Sequence, residues 1–510
     1  MMLKIIFGAL GRPSQSYIPM GLRTFLLKHP SRTLSDADTI FALSSGHGRC
    51  GVAVVRVSGP CSALALCSLA GLKHGPPAPR IAVLRSITDP RSQELLDRGL
   101  VLWFPGPHSF TGEDSAEFHI HGGPAVLTGV LQALGSLPGL RPAEAGEFTR
   151  RAFHAGKLDL TEVEGLGDLI HAETEAQRRQ ALRQMAGDLG RLYHTWSKTL
   201  MRNVAHVEAF IDFSEDEMIE DGVLNEVDSS VSRLQSDIEG HLRDGRRGER
   251  LRSGVHVVIA GETNAGKSSL LNTLCQRPAA IVSPVAGTTR DVVETSLDIG
   301  GFPVLLSDTA GLREARDSVE KEGVRRARER VEQADLTLVV LDVSELPQDQ
   351  KKAHPFLTSY LRVVLGHGED PGADPRRCLL VLNKTDLLTG EQVDSLQGVL
   401  SQSSGLPPIC LLSCQTGDGL EGFLEVLQKD VKTMCGDPLA GAPSLTQARH
   451  RSHLQQCVQA LAQYHQYREL DLALAAQGLR LALTSLGRIT GRVGAEEILD
   501  IVFRDFCIGK

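Results

Sequence analysis

The residues of this chain best suited to chemistry form a loop at positions 261–268 with the pattern G-x-x-x-x-G-K-S. An apolar run typical of a β-strand precedes the loop, and a run that can open a helix follows it, as a phosphate-binding loop requires. The glycines let backbone N–H groups curl around an anion, Lys267 can reach the β- and γ-phosphates, and the Ser268 hydroxyl can bind Mg²⁺. The pattern therefore predicts a site for a nucleoside triphosphate.

Two later segments fit the parts of such a site that respond to the γ-phosphate. Thr288 and Thr289 lie about twenty residues beyond the loop, where a threonine can complete the Mg²⁺ shell while the γ-phosphate is present. Asp308 follows an apolar strand and suits an outer-shell carboxylate of Mg²⁺, and the N–H of Gly311 can contact the γ-phosphate. This second switch stretch consists of Asp308, Thr309, Ala310 and Gly311.

A third stretch, Asn383-Lys384-Thr385-Asp386, predicts the base. The Asp386 carboxylate can accept hydrogen bonds from guanine N1–H and the exocyclic amine. Adenine cannot supply that pair, and an unpaired buried carboxylate would reject it. The segment after the last strand, which contains Ser413 and Cys414, can offer backbone N–H groups to the guanine O6. The nucleotide is therefore predicted to be GTP.

The group that orients the attacking water differs from the common kind. Ras-type enzymes use a glutamine directly after the D-x-x-G stretch, where this chain has Leu312, which cannot hydrogen-bond to water. A downstream carboxylate, Glu314 or Glu320, is the natural candidate. The transition state also needs a cation, but Arg290 and Arg313 can equally be solvated surface residues.

The composition of the chain limits its partners. The length of 510 residues suggests three or more domains, and a net charge of −8 argues against non-specific binding to nucleic acid. One cluster of arginines precedes the phosphate loop: Arg243, Arg246, Arg247, Arg250 and Arg252. The cluster is either a local RNA-binding patch or a solvated linker between domains.

Cysteine, histidine and apolar content bear on other classes of protein. Ten cysteines occur without metal-type spacing, which indicates free or buried thiols in a reducing compartment. His119 and His121 alternate along a strand and could bind a metal only with a third ligand. No apolar run approaches the roughly 20 residues of a membrane span.

The N-terminal segment has the composition of an organelle presequence. The first 35 residues contain five basic and no acidic residues, four serines, and a mixed basic and apolar run at residues 21–28. Such segments are typical of transit peptides, so residues 1–36 are predicted to be a mitochondrial transit peptide. A plain disordered tail is the alternative, and Met20 could serve as an internal start.

The rest of the sequence divides into segments of different character. Residues 37–157 show strand patterns at Thr39–Leu43, Gly51–Val57, Leu100–Phe104 and Ala116–Ile120 and a helix pattern at Pro124–Leu134. Residues 158–250 and 437–510 repeat apolar residues at helical spacing, among which Leu454, Cys457 and Leu479 are expected to pack in a core. Residues 251–436 alternate strands and helices as an open α/β sheet does. Within them, residues 292–299 and 302–306 predict a hairpin-like pair, and three apolar runs predict buried parallel strands: Leu336–Val343, Cys378–Leu382 and Ile409–Leu412. The predicted fold is multidomain α/β and α: an α+β N-domain and a helical bundle with an inserted Ras-like P-loop domain. Two separate helical pieces are the alternative.

Several stretches together resemble the MnmE (TrmE) family of tRNA-modification GTPases, which includes mitochondrial forms. They are Asn264 in the phosphate loop, residues 287–291 and 308–314, the run 146–160, and the ending Cys507-x-Gly509-Lys510. The resemblance extends from about Thr39 to Lys510 and so covers all three regions.

For the nucleotide site, the resemblance implies metals and a catalytic residue. Mg²⁺ would be held by Ser268 and Thr289, and Glu320 would position the water. A K⁺ ion, which would replace an arginine finger and draw two GTPase domains together, would be held by Asn264, Ser283, Val285 and Thr288. The full set expected to contact GTP is Gly261, Asn264, Ala265, Gly266, Lys267, Ser268, Ser269, Thr288, Thr289, Asp308, Thr309, Ala310, Gly311, Asn383, Lys384, Asp386, Ser413 and Cys414.

For the N-terminal region, the resemblance implies a tetrahydrofolate-binding domain that also forms a constitutive homodimer. Arg56, Glu117, Lys157 and the terminal Lys510 match the positions that contact the folate. The ligand would be 5,10-methylene- or 5-formyl-tetrahydrofolate. Cys507 either lies near the folate and takes part in chemistry or is a small buried residue.

The resemblance therefore implies a K⁺-activated GTPase of the mitochondrial matrix. With an FAD-dependent partner of the MnmG type, it would modify the wobble uridine, position 34, of mitochondrial tRNAs to a 5-taurinomethyluridine type. A ribosome-assembly or other RNA-binding switch GTPase without a modification role is the alternative. A folate-binding scaffold whose GTPase controls assembly is a third possibility.

Overall fold

A computed structural model describes residues 38–46, 48–213, 222–276, 294–308, 329–347, 350–365, 378–401, 405–492, 506 and 509. The predicted transit peptide, residues 1–36, lies outside them. Within the described part of the chain, no helix is both long and apolar enough to cross a membrane.

The N-terminal unit is a sheet covered by helices. Its elements are β1 (Thr39–Leu43), β2 (Cys50–Ser58), α1 (Ser62–Ala70), β3 (Val83–Thr88), β4 (Leu95–Phe104), β5 (Ser115–Gly122), α2 (Pro124–Gly135), β6 (Leu140–Pro142) and α3 (Glu147–His154). The strand order is β3-β4-β5-β2-β1-β6, antiparallel except for the β1–β6 pair. Ala53, Val55 and Val57 alternate along β2 and are fully buried, because one sheet face packs against α1 and α2.

A series of helices follows: α4 (Leu160–His171), α5 (Glu175–Met185), α6 (Asp188–Phe213), α7 (Gly222–Leu242) and α8 (Arg247–Ser253). Two of them begin at capping boxes, in which the N-cap side chain and the third helical residue exchange hydrogen bonds. Asp159 pairs in this way with Glu162, and Thr174 with Gln177. These reciprocal bonds satisfy free backbone N–H groups and fix where α4 and α5 start.

The α/β unit comes next in the chain. It contains β7 (Val255–Ala260), α9 (Lys267–Cys275), β8 (Glu294–Ile299), β9 (Phe302–Asp308), β10 (Leu336–Asp342), α10 (Gln350–Leu365), β11 (Cys378–Asn383), α11 (Gly390–Ser401), β12 (Ile409–Leu411) and α12 (Leu420–Cys435). The strand order is β12-β11-β10-β7-β9-β8, with β8 antiparallel to β9 and the other pairs parallel. The β8–β9 hairpin and the three apolar strands that follow it confirm the sequence prediction.

Helices α13 (Ala448–Tyr467) and α14 (Leu472–Thr490) return to the first helical series. Leu454, Cys457 and Leu479, predicted to be core residues, are fully buried in one cluster with residues of α6 and α7. A buried ionic group also joins the two series. Glu164 of α4 accepts from Arg449 at 2.7 Å and pairs with His450 at 2.8 Å. The helices on either side of the α/β unit therefore share one core.

The arginine cluster lies where the helices meet the α/β unit. Arg250 pairs with Asp335 at 2.8 Å, and Arg252 pairs with Asp168 of α4 at 2.7 Å. Leu251, between them, is buried in the core of the α/β unit. Arg250 and Arg252 are therefore held by carboxylates at this junction, and the choice between an RNA-binding patch and a solvated linker stays a prediction for the cluster.

The described C-terminal residues lie beside the N-terminal unit. Phe506 is buried against Leu160 and Val163 of α4. The hydroxyl of Ser44, directly after β1, donates to the carbonyl of Gly509 at 2.8 Å. The end of the chain is thereby fixed to its first strand.

The cysteines agree with the sequence prediction of free thiols. The nine in the described segments form no disulfide. Burial raises the pKa of Cys378 and Cys410 to about 11, and that of Cys435 and Cys457 to about 12. These four thiols are therefore protonated at neutral pH and have low reactivity.

Candidate nucleotide-binding site

The phosphate loop lies at the carboxyl edge of the parallel sheet. It begins after β7 and ends where α9 starts at Lys267. The strands on either side of β7 are β10 and β9, so the loop is at the point where the chain winds to opposite sides of the sheet. Ligands of open α/β sheets bind at such switch points.

The loop backbone needs its glycines. Gly261 has φ 144° and Gly266 has φ 99°, a region that other residues rarely adopt. A Cβ on Gly261 would lie 2.2 Å from the carbonyl oxygen of Val340, and one on Gly266 would lie 2.0 Å from the Asn383 amide nitrogen. Asn264, at φ 70°, is exposed. Neighbouring segments therefore press closely on both ends of the loop.

Lys267 is held across the loop that it terminates. Its Nζ donates to the carbonyls of Gly261 at 2.8 Å and Glu262 at 2.6 Å, and the residue is only 9% exposed. Ser268 and Ser269 follow in the first turn of α9 and are exposed. An ammonium group, a helix N-terminus and two hydroxyls thus lie together, which is a donor set suited to phosphate and Mg²⁺.

The predicted base-binding residues are joined to this loop. Asn383, the last residue of β11, donates from Nδ2 to the carbonyl of Ala265 at 2.9 Å. Its Oδ1 accepts from the N–H of Cys414 at 3.2 Å. One amide therefore connects the phosphate loop with the segment that follows β12.

The carboxylate predicted to select guanine is also oriented. The hydroxyl of Ser413 donates to Oδ1 of Asp386 at 2.5 Å, and the same hydroxyl accepts from the N–H groups of Gln415 and Thr416 at 3.2 Å each. Ser413 is fully buried. The structure thus brings Asp386 and the segment after β12 together, as the proposed recognition of guanine needs.

An acidic residue outside the predicted motifs supports this end of the site. Asp342, the last residue of β10, accepts from Lys384 Nζ at 2.6 Å. Burial alone would raise the pKa of Asp342, but hydrogen bonds from Lys384 and Ser344 outweigh it and lower the pKa. Its signal in the sequence is its position at the end of an apolar strand, which Asp308 and Asn383 share.

The predicted switch residues, together with Cys507 and Lys510, lie mostly outside the described part of the chain. The backbone of Asp308 ends β9, paired with Ile259 beside the phosphate loop. The others lie outside the described residues: Ser283, Val285, Thr288, Thr289, Thr309, Ala310, Gly311, Leu312, Glu314, Glu320, Cys507 and Lys510.

Two of the predicted folate residues, Arg56 and Glu117, lie together in the N-terminal unit. Arg56 and Glu117 are direct partners across β2 and β5, and Arg56 donates from Nε and Nη2 to Glu117 Oε1 at 3.1 and 3.0 Å. The guanidinium lies 5.6 Å from the ring centre of Phe110 and 5.9 Å from that of Phe148. Lys157 is exposed. The two aromatic rings were not predicted, because only the fold brings them to Arg56.

The histidines of β5 pair with carboxylates. His119 Nε2 lies 3.1 Å from Glu117 Oε2, and His121 Nδ1 lies 2.9 Å from Asp97 Oδ1. Among the described residues, no group of three or more histidines, cysteines or carboxylates is arranged to hold a metal ion. The described neighbourhood of these histidines thus offers no metal-ligand cluster.

The strand order, the glycine-bounded phosphate loop and the Asn383–Asp386 stretch define a P-loop GTPase domain. Comparisons with known proteins extend this class to the whole chain. Residues 39–157 match the model described as "GTP-binding protein TrmE N-terminus", and residues 160–507 match the "MnmE helical domain".

Curated relatives match over nearly the full length. A zebrafish (Danio rerio) protein named "5-taurinomethyluridine-[tRNA] synthase subunit GTPB3, mitochondrial" is 70% identical, covering 93% of both chains. The Homo sapiens protein of that name is 60% identical, covering 92% of this chain and 93% of its own. A Parvibaculum lavamentivorans "tRNA modification GTPase MnmE" is 50% identical, covering 93% of this chain and 100% of its own. The chain belongs to the MnmE/TrmE family of tRNA-modification GTPases, and it is a GTP hydrolase.

Proposed function

We propose that this GTPase is K⁺-activated and serves the modification of the wobble uridine, position 34, of mitochondrial tRNAs to the 5-taurinomethyluridine type. The observation that carries the nucleotide part is the Asn383 amide, which joins the phosphate loop to the guanine-recognition segment. The product and the compartment are supported by the names of the zebrafish and human relatives. Because those names describe a synthase subunit, they also support a second component, for which we propose an FAD-dependent partner of the MnmG type.

Within the nucleotide site, we assign the metals by their oxygen donors. Ser268 and Thr289 would hold Mg²⁺, and Asn264, Ser283, Val285 and Thr288 would hold K⁺. The exposed Asn264 side chain, on the loop that curls toward α9, offers a neutral oxygen of the kind that a monovalent cation accepts. A bound cation supplies positive charge that stabilises the transferring phosphoryl group. Glu320 orients the attacking water, and Lys267 holds the β- and γ-phosphates.

For the N-terminal unit, we propose a tetrahydrofolate site and a homodimer interface. The aromatic rings beside Arg56 suit a flat pterin, Glu117 suits its amine donors, and Lys157 with Lys510 suits the carboxylates of the glutamate tail. The ligand is 5,10-methylene- or 5-formyl-tetrahydrofolate. Cys507, three residues before Lys510 in the sequence, is the residue proposed to approach the folate.

The proposed domain boundaries follow the sequence analysis. Residues 1–36 are the transit peptide to the mitochondrial matrix, residues 37–157 the folate-binding domain, residues 158–250 and 437–510 the two helical parts, and residues 251–436 the GTPase domain.

Nucleoside mass spectrometry of mitochondrial tRNA tests the proposal as a whole. Cells lacking the protein should lose 5-taurinomethyluridine, and the wild-type chain should restore it. Lys267→Ala should not restore it, whereas Lys432→Ala, an exposed lysine of α12, should. Unchanged modification in the deficient cells would refute the assigned role.

The cation is tested by GTP turnover in K⁺ compared with Na⁺. We expect hydrolysis by the wild-type protein to depend on K⁺, Asn264→Ala to remove that dependence, and Glu320→Ala to abolish turnover in either salt. Equal wild-type rates in the two salts would exclude the K⁺ mechanism while leaving the GTPase class intact.

Calorimetry with 5-formyl-tetrahydrofolate tests the second site. Arg56→Ala should weaken binding strongly, and Arg85→Ala, an exposed arginine of β3, should not. No heat of binding to the wild-type chain would exclude a folate site.

A further inference from the structure

One side chain outside the recognised motifs contacts the phosphate loop directly. The hydroxyl of Tyr360, on α10, donates to the carbonyl of Val340 at 2.8 Å. The same oxygen accepts from the N–H of Glu262, the second residue of the loop, at 3.0 Å. Since a phenol has one proton and free lone pairs, it can make both bonds at once.

The surroundings of Tyr360 hold its hydroxyl in place. The residue is 7% exposed, and its ring stacks on Phe356 with centroids 6.4 Å apart. Burial raises the pKa of Tyr360 to about 12, so it keeps at neutral pH the proton that it donates. A Cβ on Gly261 would lie 3.2 Å from the hydroxyl oxygen, so the loop approaches Tyr360 closely.

The peptide groups of Glu262 connect Tyr360 to Lys267. The Tyr360 hydroxyl accepts from the N–H of Glu262, and Nζ of Lys267 donates to the carbonyl of Glu262 at 2.6 Å. A shift of Glu262 would therefore move the ammonium group of Lys267 as well. A displacement of about 1 Å is enough to weaken a pre-organised site greatly.

We propose that Tyr360 is a positioning residue of the GTPase site. Its hydroxyl fixes where the phosphate loop lies relative to β10 and, through Glu262, where the Lys267 ammonium group lies. This inference rests on the proposed function of Lys267 as a phosphate ligand. Through this one hydroxyl, helix α10 directly affects phosphate binding.

The test is the Kd of the full-length protein for GDP, measured in Tyr360→Phe. This change keeps the ring and deletes the hydroxyl, leaving the Glu262 N–H and the Val340 carbonyl without this partner. We expect the Kd to rise about tenfold, the typical effect of losing one or two buried hydrogen bonds. The preference for GDP over IDP should stay the same, because Asp386 is untouched.

Leu357→Val is the matched control, since Leu357 is fully buried on the same helix. It should lower the melting temperature without changing the Kd. An unchanged Kd in Tyr360→Phe would overturn the inference, and so would an equal rise in Leu357→Val, because packing of α10 would then be the cause. If Lys267→Ala also bound GDP normally, the proposed phosphate site itself would be wrong.

Discussion

The side chain of Asn383 joins two segments of the candidate nucleotide site. Its amide nitrogen donates to the phosphate loop, and its amide oxygen accepts from the N–H of Cys414, in the segment proposed to contact the base. These bonds assign the two ends of the amide, because the partner of the first is a carbonyl and that of the second an N–H. The distance between the phosphate and base sites therefore depends on one rotamer.

At Asp386, we predict that Asp386→Asn moves the nucleotide preference from GTP to XTP. In the proposed site the carboxylate would accept from N1–H and the amine of guanine, whereas an amide NH₂ can donate to the O2 of xanthine. GTP should lose about 100-fold in affinity, since hydrogen bonds to charged groups contribute roughly 1.5–3 kcal/mol. Competition titrations with GTP and XTP measure the change.

The control for this prediction is Asp394→Asn, an exposed carboxylate of α11, which should leave both affinities unchanged. A variant of Asp386 that still preferred GTP would contradict the assignment of the base site.

Helices α4 and α13 are joined by the buried group of Glu164, Arg449 and His450. Burial alone would raise the pKa of Glu164, but His450 and Arg449 outweigh it and lower the pKa. We predict that Glu164→Gln lowers the free energy of unfolding by about 3–5 kcal/mol, the usual cost of breaking a buried ion pair. Urea unfolding followed by far-UV circular dichroism measures this, and a loss below about 1 kcal/mol would contradict it.

A pH dependence is expected from His241 of α7. Burial lowers the pKa of His241 to about 4 from its ordinary 6.5. As pH falls from 6.5 toward 4, the unfolded chain takes up a proton that the folded protein does not, so His241 contributes a loss of about 3 kcal/mol over that window and no dependence above it.

In His241→Phe, this part of the acid sensitivity should disappear, because phenylalanine does not titrate. Its ring should keep the edge contact with the ring of Trp196. Melting temperatures between pH 4 and 7 test this, with the exposed His256→Gln as the control. Identical pH profiles for the wild-type protein and His241→Phe would refute the prediction.

The sequence predicts those elements whose residues show a local pattern, such as apolar periodicity or required glycines. β1 was predicted to the residue, and the phosphate loop was recognised because its backbone conformation requires particular glycines. Helix α1 and strand β3 were omitted: α1 is apolar and small-residue-rich around much of its circumference, and β3 is mostly exposed with little alternation. Neither shows the periodicity on which such a prediction depends.

Contacts between distant segments could not be predicted. Arg252 meets Asp168 across 84 residues of sequence, and no spacing rule connects them. Tyr360 likewise reaches the phosphate loop from a helix that shows no motif. In the N-terminal unit, Phe110 and Phe148 come to Arg56 only through the sheet and the loops around it.

Across the whole molecule, Phe506 holds the end of the chain against α4. A Cβ on Gly167 would lie 3.3 Å from its ring, so the two pack tightly. We predict that Phe506→Ala releases the C-terminal residues, with a cost of about 3–5 kcal/mol typical of buried phenylalanine. Limited proteolysis should then remove the last residues faster than in the wild-type protein, and equal cleavage rates would contradict the anchoring.

The bond between Ser44 and Gly509 spans 465 positions, which has a consequence for how the protein is made. Translation delivers the first strand early and its partner, Gly509, only after more than 460 further residues have been made. The helices before the α/β unit can complete their shared core only after α13 and α14 have been synthesised. The inserted α/β unit has its own core and can fold during translation. Nascent chains stalled before residue 448 should therefore already bind guanine nucleotide but lack the finished bundle.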